Sequence, residues 1–168
     1  MSTAAIATGA VTTVAGTGAW GYDGDNKLAI FADLDNPTDV AMDGAGNLYI
    51  ADDLNHRVRR VDHATGRITT VAGTGTEGYN GDDQLAVNAD LNYPQGVAVD
   101  GAGNFYIADC DNDWVRRVDP DGVITTVAGT GNWGYNGDNK LAINAKLNEP
   151  TGVAVDEAGN LYIADNKN

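Results

Sequence analysis

The side chains able to do chemistry in this chain are mostly carboxylates: 24 Asp and Glu stand against 10 Lys and Arg, a net charge of −14. One stretch spaces them as a ligand set would. In Asp109-Cys110-Asp111-Asn112-Asp113 the carboxylates alternate, a pattern that hard cations such as Ca²⁺ favour. The glycine of a calcium loop is missing, Trp114 follows instead, and no distant bidentate glutamate is indicated. A solvated polar turn is therefore the better reading, and no metal or cofactor is assigned. Asp111 and Asp113 are kept as candidate binding residues.

Other chemistry is sparse. The chain has two histidines, His56 and His63, and one cysteine, Cys110, so no intrachain disulfide forms. No Gly-x-Ser-x-Gly, histidine metal pair or nucleophile–base set is present, which points away from an enzyme. Gly-Thr-Gly segments resemble a phosphate loop only weakly, because the lysine and the long following helix are absent. Five aromatic residues, Trp20, Tyr22, Tyr79, Trp133 and Tyr135, remain. The three tyrosines repeat and are expected to pin loops in place. Trp20 and Trp133 are replaced by Glu77 in the middle copy and are the better candidates for gripping a peptide or a glycan.

Those positions are comparable because the chain repeats. Val-Ala-Gly-Thr-Gly starts at Val14, Val71 and Val127, with spacings of 57 and 56 residues. Leu34-x-x-Pro37, Val40-Ala41-Met42-Asp43 and Asn47 to Asp52 each recur at the same offsets. Residues 72–109 and 128–165 share 28 identities in 38 positions. Such a period means one supersecondary unit per repeat, recently duplicated or designed. Acidic residues present in every copy are expected to be structural: Asp43, Asp100 and Asp156 after one strand, Asp52, Asp109 and Asp165 after the next. They are expected to bond turn backbone N–H groups or to pair with arginines such as Arg60 and Arg117.

Each repeat holds four short strand candidates. In the middle copy these are Val97–Val99 (A), Phe105–Ala108 (B), Trp114–Val118 (C) and Val123–Val127 (D), separated by Gly, Asn, Asp and Pro turns. Four antiparallel strands per unit read as a β-propeller blade, an all-β fold. Between D and the next A lies an insert of about 20 residues. Leu85, Ala86, Ala89 and Leu91 predict one or two helical turns there, with Asp82 as N-cap and Asp25 and Asp138 in the same role.

The segments Gly96 to Asp100, Asn104 to Asp109 and Asn55-His56-Arg57-Val58-Arg59-Arg60-Val61 resemble the NHL-repeat family of β-propellers, and Gly-Tyr-x-Gly-Asp-x-x-Leu-Ala resembles its long-repeat bacterial type. The resemblance implies a propeller, commonly of six blades. It leaves function open among protein, peptide or RNA binding and, in related propellers, metal-dependent hydrolases or lyases. An acidic chain of pI about 4.1 argues against nucleic acid and against anionic membranes. His56 is matched by Asp113 in the next copy, so it is not a repeated ligand.

The repeat also sets expectations for assembly. The expected blades are 38–72 and 94–128. The inserts are 16–37, 73–93 and 129–149. Residues 150–165 give strands A and B of a blade whose strands C and D are matched by 1–15, with Ser2 to Ile6 as a poorly matching strand C. Three blades leave two apolar faces open. A homodimer closing one six-bladed ring by sharing that blade is the expectation, with larger rings as an alternative. The sequence reads as a non-catalytic, self-assembling scaffold, or else as a peptide or glycan binding module using the acidic, aromatic insert face. The N-terminal residues show no signal peptide, so a chain expressed as it stands is expected in the cytoplasm.

Overall fold

The computed structural model describes residues 9–168. Among them the fold is all-β, three antiparallel sheets in succession. Strands β1 (Lys27–Leu28), β2 (Pro37–Met42), β3 (Leu48–Asp52), β4 (Arg57–Val61) and β5 (Arg67–Ala72) form the first, in spatial order β1-β5-β4-β3-β2. Strands β6 (Gln84–Leu85), β7 (Pro94–Val99), β8 (Phe105–Asp109), β9 (Trp114–Val118) and β10 (Val123–Gly129) form the second in the same order. Strands β11 (Pro150–Val155) and β12 (Leu161–Asp165) pair as a two-stranded third sheet.

The turns explain the strand lengths. Asp43 ends β2 and folds the chain back: its Oδ1 accepts the N–H groups of Ala45 and Asn47, and its Oδ2 accepts from Asn47 Nδ2. Asp100 and Asp156 make the same set of bonds. Gly46, with φ +85°, completes the first of these turns in a conformation most side chains avoid. Each innermost strand opens on proline, whose missing N–H coincides with a register shift before the third residue.

The core lies between sheets. Tyr49, Ala51 and Val58 of the first meet Val97, Phe105 and Ile107 of the second, all buried, with the Tyr49 and Phe105 rings 5.2 Å apart. A smaller cluster, Val115, Ala128 and Leu147, joins the second sheet to the third. The innermost strands nearly touch: a Cβ on Gly96 would lie 2.8 Å from the Thr151 carbonyl oxygen and 2.9 Å from Gly152 Cα. The first sheet carries Asp39 at this position. Its Oδ2 accepts the Val97 N–H at 2.9 Å, replacing backbone contact with a bond between sheets.

The inserts hold the expected helical turn but not its expected cap. Each contains one turn of 3-10 helix, at Ala29–Phe31, Ala86–Asn88 and Ala142–Asn144, and no longer helix. No side chain caps these turns. Lys27–Leu28 and Gln84–Leu85 pair instead with the outer edge of the following sheet, at Arg67, Ile68, Val123 and Ile124. Ala29 and Ala86 then seat against that edge, each about 1% exposed. Residues 11–14 form no strand in the single chain, and the expected strand Ser2 to Ile6 lies outside the described residues. No helix is long and apolar enough to cross a membrane, among the described residues.

Candidate functional site

Two arginines that the sequence reading passed over organise the interior. Arg59 and Arg116 are fully buried, while the expected partners Arg60 and Arg117 lie at the surface side of the same strands. Arg116 Nη2 meets Asp82 Oδ1 at 2.7 Å and donates to the Gly81 carbonyl. Its Nη1 reaches Asp109 Oδ2 at 3.5 Å. Arg59 repeats this with Asp25 (2.9 Å), the Gly24 carbonyl and Asp52 (3.3 Å). Asp25 and Asp82 are therefore ion-pair partners of a buried guanidinium and not N-caps. They also accept from Thr70 on β5 and Thr126 on β10.

Asp52 and Asp109 are fully buried and close the turn that follows their strand. Asp109 accepts the Asn92 N–H at 2.7 Å and Asn112 Nδ2 at 2.8 Å, and Asp52 does the same with Asp35 and Asn55. Asn55 and Asn112 also donate to the insert carbonyls of Gly21 and Gly78. Burial pushes the Asp109 carboxyl up to about 6 against these donors, and pushes Asp52 up as well. The charge count agrees with the direction, since one guanidinium faces two carboxylates and the trio carries one negative charge too many. The sequence showed an arginine pair at a fixed offset after Asp52 and again after Asp109, without marking which member turns inward.

The next residue of the turn is left-handed, with φ +51° at His56 and +57° at Asp113. Histidine and aspartate are among the non-glycine residues that tolerate this. Both also accept a backbone N–H from the following sheet: His56 Nδ1 from Tyr93 at 3.2 Å, Asp113 Oδ1 from Glu149 at 2.9 Å. One position thus ties neighbouring sheets together with two chemistries.

The structure brings three of the four candidate binding residues together. Asp111, Asp113 and Trp133 line one cleft of about 430 Å³ between the second and third sheets, with Asn92, Glu149 and Lys167. Trp133 is 74% exposed above it. Burial first, then the neighbouring carboxylates Glu149 and Asp111, raise the Asp113 pKa. Trp20 lies apart, at a recess of about 560 Å³ beside Thr13, Leu34 and Pro37. Of the tyrosines, Tyr22 lies over Arg57 (3.9 Å) and Tyr79 over Arg116 (4.9 Å), which fixes their inserts to the sheets, whereas Tyr135 is largely exposed.

Cys110, Asp111 and Glu149 can each bring one ligand atom within 4.8 Å of the others. They suit a metal poorly. A ligating cysteine must lose its proton, and burial with the adjacent Asp111 pushes this thiol up to about 12. Glu149 is also engaged by Lys167.

Comparison with known proteins follows the repeats. Residues 70–136 match the model of the teneurin NHL domain, and residues 147–168 that of the NHL repeat. The chain is 36% identical over 129 residues to NHL repeat-containing protein 2 of Bos taurus, covering 72% of this chain and 18% of that one. It is 34% identical over 86 residues to Protein SUPPRESSOR OF QUENCHING 1 of Arabidopsis thaliana, covering 51% of this chain and 8% of that one. The chain thus spans less than a fifth of these relatives. A solved auxiliary nutrient binding protein of Bacteroides thetaiotaomicron superposes with a TM-score of 0.60 at 28% identity, over 75% of this chain and 34% of that one.

Proposed function

We propose that this chain, a member of the NHL-repeat β-propeller family, is a non-catalytic scaffold of three blades that assembles with a second copy into a six-bladed ring (2 × 3 sheets). One observation carries the reading: equivalent positions are buried where a neighbouring sheet or strand exists and exposed where it does not. Val97 is 3% exposed and its counterpart Val40 57%. Tyr49 is 8% exposed and its counterpart Tyr162 59%. The side chain of Val40 awaits the face that Tyr162 offers, as Val97 receives that of Tyr49.

The outer edge repeats the pattern. Ile68 and Ile124 are fully buried in strand D, whereas Val11, at the same place in its repeat, is 97% exposed. Among the described residues the third sheet has an insert but no outer strand against it, and Ala142 is exposed where Ala29 and Ala86 are buried. One region is an exposed segment lacking a sheet, and the other a sheet lacking an outer strand among the described residues. A second copy satisfies both, with two identical joints about a twofold axis. Burying each large apolar side chain contributes about 1.5–3 kcal/mol, so a few per joint hold the ring.

Light scattering at micromolar concentration tests this. The expected mass is 35 kDa (2 × 17.5 kDa), and a monodisperse 17.5 kDa species overturns the reading.

A second reading is a peptide or glycan binding module. It is favoured by the convergence of Trp133, Asp111 and Asp113 on one cleft and by likeness to a nutrient binding protein. Saturable binding on a peptide and glycan array, lost in Trp133→Ala, is the expected result; binding unchanged in that variant removes it.

A further inference from the structure

We propose, resting on the binding-module reading above and adding the chemistry of its ligand, that the cleft between the second and third sheets takes up the alkylammonium group of a peptide lysine.

The chain contains two junctions between sheets, built on one backbone plan with different side chains. Between the first and second sheets stand Leu54, His56, Glu77 and Tyr93. The same places between the second and third are taken by Asp111, Asp113, Trp133 and Glu149. At the first junction the His56 and Tyr93 rings meet edge to face, their centroids 4.7 Å apart, and occupy the space. At the second, Asp113 accepts the Glu149 N–H at 2.9 Å, as His56 accepts that of Tyr93, so the sheets are tied alike. No ring fills the gap there, and a cleft of about 430 Å³ is left.

What the cleft offers is mainly acceptors. Asp111, Asp113 and Glu149 line it with one cation, Lys167, which Glu149 engages. Asp111 and Asp113 form no ion pair among the described residues. Asn92 Oδ1, in the wall of the cleft, is closed to solvent and receives no hydrogen bond. Asp53 is 3% exposed and near enough to Asp111 for their charges to oppose, and its Oδ1 also lacks a donor. Buried acceptors without donors are costly, and an ammonium brings three N–H groups and no acceptor.

Trp133 adds the other half of such a site, since indole attracts organic cations most strongly among the aromatic side chains. Its exposure belongs to its place in the insert and not to the incomplete third sheet. Trp20, at the same place beside the five-stranded first sheet, is 85% exposed. A neutral sugar could use the indole but would leave the carboxylates unpaired. Lys167 is the internal precedent: its own ammonium rests against Glu149, and Glu149 first, then Asp111, hold its proton more firmly than usual. Its side chain is 55% exposed, so a guest can compete for the place.

Calorimetric titration of the whole chain at low salt with the blocked peptide Ala-Ala-Lys-Ala-Ala tests this. Saturable one-to-one binding is expected, and none when norleucine replaces the lysine. Asp111→Asn is expected to weaken binding at least about tenfold and Trp133→Ala at least about twofold. Both side chains are exposed, so the fold is kept. Lys167→Met removes the resident competitor and is expected to tighten binding. No binding, equal binding of the norleucine peptide, or looser binding in Lys167→Met overturns the proposal. Binding of a neutral peptide or glycan through Trp133, with none of the lysine peptide, overturns it and leaves the binding-module reading standing, so the two failures are distinguishable.

Discussion

The buried Arg116 trio shows how one residue can be costly and still fixed. Removing the guanidinium from between buried Asp109 and half-buried Asp82 leaves the Asp109 charge without compensation, a loss of about 3–5 kcal/mol. The pH consequence runs through Asp109. Its folded pKa, about 6, lies above the unfolded value of 3.8, so between these values the folded chain holds the extra proton. This group therefore makes the fold more stable as pH falls from 6 towards 4 and less stable as pH rises through that window. Asp109→Asn removes this pH-dependent contribution. The melting temperature of the variant relative to the unmodified chain is expected to drop as the pH is lowered from 7 to 5; a constant difference shows that Asp109 does not titrate there. At this scale the sequence was only partly legible. Repetition marked Asp52 and Asp109, but adjacent arginines in Arg59-Arg60 give no clue as to which one points inward. That depends on pairing with Ile50, a contact across the sheet.

Strand elements were easier to read, because alternating apolar residues and turn chemistry lie close in sequence. The single helical turn of each insert was legible, but its lack of a cap and its pairing with a sheet edge were not. An apolar run as short as Leu85 to Leu91 cannot offset helix nucleation, and pairing with a sheet edge offers its backbone a better partner. The close approach of innermost strands was also hidden, since Gly96 looked like any other strand glycine. Gly96→Ala pushes a methyl into Thr151 and Gly152 backbone and is expected to cost about 1–3 kcal/mol by chemical denaturation. Gly101→Ala, with open space around it and no positive φ, is the control and is expected to change stability little. Equal losses in both would mean that the strands are not held so closely.

For the whole molecule, family and fold class followed from a period of nearly constant length, while closure and ligand lie beyond any single repeat. Charge adds a prediction about assembly. In the proposed dimer two copies would bring −28 together (2 × −14), and that repulsion would oppose the joint. Raising NaCl from about 20 to 500 mM shortens the Debye length from roughly 20 Å to about 4 Å, so the dimer midpoint in sedimentation is expected to move to lower concentration. Weaker association in salt would mean that ion pairs, and not apolar faces, carry the joint.

Near-identical repeats bring a hazard of their own, and Asp39 bears on it. A folding chain built from copies can thread one unit out of step and still satisfy most of its pairings. Asp39 is the carboxylate where the other copies have glycine, and it fits because it reaches the Val97 amide. Shifted one unit along, it would occupy the slot of Gly96, where even a methyl meets the Thr151 carbonyl. That single side chain is expected to disfavour the misthreaded fold by collision.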